Sequence, residues 1–171
     1  FAARGETKLD LVSYYLSVGD GIVNALRERP CMLHRFPDGV SGPKVHQKRL
    51  PRGAPPWVET VRLHFPRYGL HADELCVTRL ADVAWAVQMS TVELHTWNAT
   101  TVDLDKPDRF VLDLDPDPAL PWKSMVEATA LTLTVLDELG LKAFLKTSGG
   151  KGIHLVVPLT RKLGWDEVKD F

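Results

Sequence analysis

A short apolar strand that ends in two aspartates constrains this chain more than any other feature. Residues 109–116 have the sequence RFVLDLDP, in which an apolar run leads directly into Asp113 and Asp115. This pattern predicts a buried strand that carries both carboxylates at its carboxyl end. Because the two residues are i and i+2, their side chains share a face, with Cα atoms roughly 6–7 Å apart. Two carboxylates at that spacing repel each other unless a cation lies between them, and oxygen ligands favour Mg²⁺ or Mn²⁺.

A helix is predicted after this strand. Pro121 suits its first turn and Gly140 the position just past its end. Apolar residues recur between them at steps of three and four, which indicates one packing face. The residues expected on that face are Trp122, Met125, Val126, Thr129, Leu133, Leu136 and Leu139.

A glycine-rich loop separates two further predicted strands, residues 142–146 and 153–159. The loop has the sequence TSGGKG, and its backbone N–H groups together with Lys151 can cradle phosphate oxygens. It does not fit GxxxxGK[ST], so it is not a Walker A loop. Each signal alone has an ordinary alternative, because such aspartate pairs and glycine turns are common and His154 could be a core histidine. Together they predict a place for a nucleoside triphosphate and its metal ion.

Composition predicts one soluble globular domain over residues 1–171. The chain is 44% hydrophobic and 25% charged, and it has no apolar run near the ~18 residues that span a membrane. Cys31 and Cys76 are too few for a disulfide scaffold, and their apolar settings predict buried, reduced thiols in a cytoplasmic protein.

Charge is unevenly distributed although the net charge is −1. Residues 27–67 contain nine Lys or Arg and three Asp or Glu, whereas residues 73–117 contain three and ten. A basic section beside an acidic one is typical of a protein that holds a polyanion and metal ions together. The alternative, which the charge pattern supports equally well, is an ordinary solvent-exposed surface that carries charges of both signs.

The chain is expected to begin with a helix that is capped by Thr7, has Asp10 as a capping-box partner and ends before Pro30. Lys8 in the first turn opposes the helix dipole, as it would if an anion bound there. The predicted buried stripe comprises Leu11, Tyr14, Tyr15, Val18, Ile22, Val23 and Leu26. The other predicted elements are strands over 31–36, 44–50, 59–65, 75–78 and 91–97, a helix over 80–89, and a helix that starts near Gly164.

Two of these strands carry candidate binding residues. Strand 44–50 is expected to pair with strand 31–36 as a hairpin, with His46 and Lys48 on one face and Arg35 facing the same groove. His95 lies in the middle of strand 91–97, where a lone histidine is more often a hydrogen-bonded core residue.

The combination of DLDP with SGGKGIH resembles the archaeo-eukaryotic primase superfamily, and more closely the polymerase domain of bacterial DNA ligase D. The likeness extends over most of the chain. The other segments that carry it are TKLDLVSYY, RPCMLHRFPDGV, HQKRLP, APPWV and LADVAWAVQMSTVELHTW. The resemblance implies an α/β (α+β) primase-polymerase core with an RRM-like sheet and an N-terminal α/β layer.

The resemblance also implies roles for individual residues. Asp113 and Asp115 would be the catalytic metal ligands, and His95 would contact the ribose of the nucleotide. Lys8 and Arg35 would contact DNA, Lys8 at a 5′-phosphate. The remaining implied nucleotide contacts are His46, Lys48, Ser148, Gly149, Lys151 and His154. Family members often have two phenylalanines where this chain has Val45 and His46, so base stacking here is expected to be weaker.

The implied activity is nucleotide addition, preferably of ribonucleotides, to DNA 3′ ends during double-strand break repair by end joining. The implied cofactor is Mn²⁺ or Mg²⁺. The implied partners are DNA ends with a 5′-phosphate, ligase and nuclease domains of the parent chain, and Ku, in the bacterial nucleoid and with no membrane. The family's third metal-binding aspartate is expected beyond residue 171, so residues 1–171 alone are expected to be an incomplete domain with little or no extension activity.

Two other function classes fit parts of the sequence. A haloacid-dehalogenase-type phosphotransferase also uses a strand that ends in Asp-x-Asp. However, its nucleophile usually opens the domain, and here 112 residues precede Asp113. A DNA-end-binding protein without catalysis would need only the basic section.

Overall fold

The computed structural model describes residues 5–171, except for the side chain of Arg67, and the chain divides into two compact units. Unit 1 ends at Val102 and unit 2 begins at Asp103. Each unit has its own antiparallel sheet, helices and apolar core, as the α+β class predicts. The single domain over residues 1–171 remains a prediction. Among the described residues, no helix combines the length and the apolarity that crossing a bilayer requires.

Unit 1 is built around a five-stranded sheet. Its strands pair in the order β2-β1-β4-β3, and β5 also pairs with β1. The elements in chain order are α1 (Lys8–Ser17), α2 (Gly19–Leu26), β1 (Pro30–Arg35), β2 (Val45–Gln47), β3 (Thr60–Phe65), a 3₁₀ turn (Pro66–Tyr68), β4 (Leu70–Cys76), α3 (Leu80–Gln88) and β5 (Thr91–Thr96). The core contains apolar residues of the sheet and α3 that are almost fully buried, among them Leu33, Leu75, Val83 and Val87.

The single helix predicted after Thr7 is in fact two helices. Val18 leaves the helical conformation (φ −104°, ψ 20°), and Gly19 starts α2 in close contact with α3. A Cβ at Gly19 would lie 2.8 Å from Cδ2 of Leu80. The break separates the two halves of the predicted stripe, so Tyr14 and Val18 are exposed and their predicted burial is wrong. The buried positions are Tyr15, Val23 and Leu26.

Two strands of unit 1 differ from their predicted bounds. β2 covers only Val45–Gln47 of the predicted 44–50, and β4 begins at Leu70 rather than at residue 75. The early part of β4 escaped prediction because polar residues alternate with Ala72 there, and because Glu74 is buried although carboxylates are usually exposed.

Unit 2 has a three-stranded sheet in the order β6-β8-β7, covered on one face by a long helix. Its elements are β6 (Arg109–Leu114), α4 (Trp122–Glu138), β7 (Phe144–Thr147), β8 (Ile153–Pro158) and α5 (Trp165–Asp170). Met125 and Leu136 of α4 pack with three alternate residues of β8, namely Ile153, Leu155 and Val157. The contacting stripe of α4 is narrower than predicted, and the expected burial of Trp122, Val126 and Leu139 is wrong, since all three are more than 45% exposed.

Candidate nucleotidyl-transfer site

The paired aspartates lie at the end of β6, as the sequence predicts. Asp113 is the next-to-last residue of β6, directly opposite His154 on β8, and His154 is in turn opposite Lys146 on β7. Directly opposed residues of antiparallel strands share a face, so a carboxylate, an imidazole and an ammonium form one row across the sheet. Nε2 of His154 is 3.3 Å from Oδ1 of Asp113. This face is the one opposite Leu155, so the row lies away from α4.

The glycine-rich loop is organised by Ser148. Its hydroxyl donates to the carbonyl oxygen of Gly152 at 3.0 Å and accepts from the amide of Gly152 at 3.1 Å. The amide of Ser148 donates to the same carbonyl, and the amide of Gly150 donates to the hydroxyl at 3.4 Å. Gly149 has φ +86°, a conformation that favours glycine. The Ser148 side chain therefore closes the turn between β7 and β8, with Lys151 exposed at its end.

Gly152 brings the loop against the second aspartate. A Cβ at this position would lie 2.9 Å from the carbonyl oxygen of Leu114 and 3.0 Å from Oδ1 of Asp115. Even in a C–H···O contact the carbon and oxygen atoms stay about 3.3–3.6 Å apart, so only glycine permits this packing. The carboxylate at the end of β6 and the loop that precedes β8 are thus in van der Waals contact.

A cleft of about 360 Å³ opens beside the aspartates. Asp113 and Asp115 line it, together with the chain that leads into α4 and the first turns of that helix, namely Leu114, Pro116, Leu120, Ser124, Met125 and Ala128. The side chain of Asp113 is 61% exposed on the sheet face away from α4, so its oxygens are accessible to an ion and a ligand.

The donor set at the end of β6 fits a hard divalent cation. Asp113 and Asp115 supply only carboxylate oxygens and are both exposed, and Mg²⁺ and Mn²⁺ prefer such ligands. Mg²⁺ commonly binds through one or two carboxylates together with substrate phosphates. These residues therefore fit an ion that is shared with a bound triphosphate.

Unit 1 carries a cluster of imidazoles on one face of its sheet. His34 of β1 is directly opposite His46 on one side and Glu93 of β5 on the other, and His95 follows two residues after Glu93. The ring centroids of His34 and His46 are 4.4 Å apart, and those of His34 and His95 are 3.8 Å apart. One carboxylate oxygen of Glu93 lies 2.7 Å from Nδ1 of His34 and 2.9 Å from Nε2 of His95.

The protonation of this cluster follows from burial and hydrogen bonding. Burial lowers the pKa of His34, which is only 5% exposed and therefore favours its neutral form. The hydrogen bond from His95, joined by the one from His34, lowers the pKa of Glu93. Near neutral pH, the group between the two rings is accordingly a carboxylate.

Two predicted contact residues of unit 1, Arg35 and Lys48, occupy other surroundings. Arg35 donates to the side chain of Gln47 and, at 2.8 Å, to the carbonyl oxygen of Met89. Gln47 is adjacent to His46 in β2, so Arg35 is held on the face opposite the imidazoles. The prediction that Arg35 faces the same groove as His46 is therefore wrong. The ammonium of Lys48 lies 5.9 Å from the ring centroid of Phe65. The DNA and nucleotide contacts of Arg35 and Lys48 remain predictions.

The N-terminus of α1 has the predicted capping box. The amide of Thr7 donates to Asp10 at 2.7 Å, and the amide of Asp10 donates to the hydroxyl of Thr7 at 3.3 Å. Lys8 is exposed in the first turn. Its proposed contact with a 5′-phosphate remains a prediction.

Three residues at these sites were not found from the sequence. Lys146 joins the row in unit 2 only because β7 and β8 pair in the observed register. His34 and Glu93 are 59 positions apart, and each has only the pattern of an ordinary strand residue. The available signal was the spacing of Glu93 and His95, since residues i and i+2 of a strand share a face.

Comparison with known proteins agrees with this arrangement. Residues 7–171 match the model of a family described as LigD, primase-polymerase domain. The multifunctional non-homologous end joining protein LigD of Pseudomonas aeruginosa is 53% identical over 165 residues, which cover 96% of this chain and 19% of that protein. The protein of the same name from Mycolicibacterium smegmatis is 30% identical over 95% of this chain and 21% of its own length. The chain thus spans about a fifth of these curated relatives.

A solved structure extends the comparison to the fold. The polymerase domain from Mycobacterium tuberculosis ligase D in complex with DNA superposes with a TM-score of 0.86 at 27% identity. The match covers 96% of this chain and 59% of that one. It confirms the predicted primase-polymerase fold, and the matching family disfavours the haloacid-dehalogenase alternative. The chain belongs to the LigD primase-polymerase domain family.

Proposed function

We propose that this chain carries the nucleotide-adding site of a DNA-end-directed polymerase that acts in double-strand break repair by end joining. The observation that supports it most is the contact between the carboxylate strand and the glycine loop. Gly152 places the loop against Asp115, so groups suited to a metal ion and to phosphates adjoin each other within unit 2. Family membership supports the same activity.

Each group in unit 2 has a distinct chemical task under this proposal. Asp113 and Asp115 hold Mg²⁺ or Mn²⁺, which when bound supplies positive charge for the phosphate oxygens. Lys151 and the N–H group of Gly149 bind the triphosphate, and preorganised donors of this kind stabilise charge that develops during transfer. Ser148 fixes the shape of the loop. His154, 3.3 Å from Asp113, orients that carboxylate and faces the phosphates.

Unit 1 supplies a second set of proposed contacts. His95 contacts the sugar of the nucleotide, and His46 of β2 together with Lys48, which follows that strand, contacts the base or the template. Lys8, exposed at the start of α1, binds the 5′-phosphate of a DNA end. We further propose that the protein works beside ligase and nuclease activities and Ku on bacterial chromosomal DNA.

The test is nucleotide addition to a gapped duplex by the full-length protein with Asp113→Asn or Asp115→Asn. Each change keeps the side-chain shape and removes a charge, so the fold should persist. Addition with Mn²⁺ should fall by about 10²-fold or more, the scale on which loss of a charge-stabilising group acts. Asp137→Asn on the exposed surface of α4 is the matched control. Near wild-type extension by either site variant would show that the assignment is wrong.

The second candidate function is binding of DNA ends without catalysis. The wild type and the two aspartate variants also distinguish this function from the proposed one. Affinity for a 5′-phosphorylated duplex is measured by fluorescence anisotropy beside the extension assay. The proposal expects both aspartate variants to bind ends as the wild type does. A wild-type protein that binds ends tightly and adds no nucleotide would favour the second candidate.

A further inference from the structure

The carboxylate of Glu93 joins two histidines through a single oxygen. Oε2 accepts from Nδ1 of His34 at 2.7 Å and from Nε2 of His95 at 2.9 Å. The register explains why the three groups meet, since His34 is directly opposite Glu93 and His95 is two residues further along β5. All three side chains therefore lie on one face of the sheet.

This geometry determines which ring nitrogen of each histidine carries a proton. An ionised carboxylate accepts hydrogen bonds and donates none. Nδ1 of His34 and Nε2 of His95 must therefore both be N–H groups. In a neutral imidazole the other nitrogen is then an acceptor, which is Nε2 in His34 and Nδ1 in His95.

Only one of these two acceptors is accessible to a ligand. Nε2 of His34 is buried, and within the described part of the chain it has no hydrogen-bond partner. The side chain of His95 is 48% exposed. Of the two histidines bonded to Glu93, only His95 therefore presents an acceptor, Nδ1, and an acceptor binds a hydroxyl that donates but not a carbonyl or phosphate oxygen.

The same three side chains are also a possible ligand set for a metal ion, because two imidazoles and a carboxylate coordinate divalent cations. The surroundings of His34 favour hydrogen bonding instead. A histidine that binds a metal usually donates its other N–H to a partner. With a metal on Nδ1, the N–H at Nε2 of His34 would be buried without one, as far as residues 5–171 show. When Nδ1 of His34 donates to Glu93 instead, Nε2 of His34 carries only a lone pair and no buried N–H is left without an acceptor.

We propose that Glu93 is a positioning residue that fixes His95 as a hydrogen-bond acceptor at Nδ1, and so sets the preference of the nucleotide site for a sugar with a donating 2′-hydroxyl. This inference rests on the proposed function, in which His95 contacts the sugar. It adds the residue that controls the contact and the direction of the hydrogen bond. A deoxyribose has no hydroxyl at that carbon and cannot donate.

The kinetic test compares ribonucleotide and deoxyribonucleotide addition by the full-length protein. In Glu93→Gln, the amide donates at one end, so one imidazole is free to adopt the other tautomer. The ratio of kcat/KM for ribo- over deoxyribonucleotides should fall about tenfold, the scale of one hydrogen bond. The lower ratio should come from a higher KM for ribonucleotides, and kcat and KM for deoxyribonucleotides should not change. Glu59→Gln, which removes an exposed carboxylate outside the cluster, is the matched control.

A double variant tests whether Glu93 acts through His95. His95→Ala alone should lower the sugar preference by a similar factor, and Glu93→Gln with His95→Ala should lower it no further, because both changes remove the same hydrogen bond. Independent, multiplying losses would overturn the proposal. Unchanged sugar preference in Glu93→Gln would overturn it as well.

A direct observation of the tautomer does not depend on activity. The ¹⁵N shifts of the His95 ring, recorded above the pH at which the imidazole is charged, should show hydrogen on Nε2 in the wild type and a mixture in Glu93→Gln. Hydrogen on Nδ1 in the wild type would overturn the proposal. A wild-type protein that adds no nucleotide would refute the proposed function instead, and the shifts would still decide the state of His95.

Discussion

Replacing Gly152 by alanine should damage the proposed site through packing alone, without removing any functional group. The new Cβ would lie 2.9 Å from the carbonyl oxygen of Leu114, 3.0 Å from Oδ1 of Asp115 and 3.2 Å from Oγ of Ser148. An ordinary carbon–oxygen contact is about 3.3–3.6 Å. The loop and the end of β6 must therefore separate by several tenths of an ångström.

The size of the effect follows from the bonds that this separation strains. Ser148 and Gly152 exchange two hydrogen bonds through the serine hydroxyl, at 3.0 and 3.1 Å. Each contributes roughly 0.5–1.5 kcal/mol, so the free energy of unfolding should fall by about 1–3 kcal/mol. A misplacement of about 1 Å in a reacting geometry costs on the order of 10²-fold in rate. The smaller shift of Asp115 expected here should cost about tenfold or more.

Chemical denaturation and nucleotide addition by the full-length protein measure the two effects. Gly150→Ala is the matched control in the same loop, because its Cβ would lie 3.9 Å from its nearest non-adjacent neighbour atom, Oγ of Ser148, which is an ordinary contact. If Gly152→Ala and Gly150→Ala have the same unfolding midpoint and the same activity, the contact with Asp115 does not couple the loop to the carboxylates.

Two further outcomes are expected. Lys151→Ala should raise the KM for nucleotide about tenfold and leave the Kd for DNA unchanged, because one charge-assisted contact to phosphate is lost. Lys162→Ala is the control. Equal increases in the KM for nucleotide and the Kd for DNA would indicate that Lys151 contacts DNA instead. Burial raises the pKa of Cys31 to about 12 and that of Cys76 to about 11, so at pH 8 neither thiol forms appreciable thiolate, the reactive species. Both cysteines should therefore react with a disulfide reagent only after the protein is unfolded in guanidinium. Rapid reaction of the folded protein would contradict their burial.

The region from β6 to β8 was predictable because its signals are local. The apolar run, the helix between Pro121 and Gly140, and the glycine turn each depend on residues close in sequence. Gly140 indeed has φ +71° just past the end of α4. The positions of the aspartates and of the loop followed from these signals alone.

The parts that escaped prediction depend on contacts between distant residues. The end of α1 at Val18 accompanies the packing of Gly19 against Leu80, which lies 61 residues further along. The role of Glu93 requires the register of β5 against β1, which no local pattern specifies. A helix stripe or a strand alternation identifies a face, but it does not identify the groups that the face will meet.

One outer strand of the sheet in unit 2 has a consequence for solubility. β7 is one of the two edges of that sheet among the described residues, and its Phe144 and Leu145 are each 52% exposed. Exposed apolar edges invite strand addition by other chains, and lysine is a common defence against it. Lys142, whose ammonium lies 5.3 Å from the ring centroid of Phe144, and Lys146 place two positive charges along this edge. Repulsion between such edges is screened within about 10 Å at 0.1 M salt, so the protection against aggregation weakens as ionic strength rises.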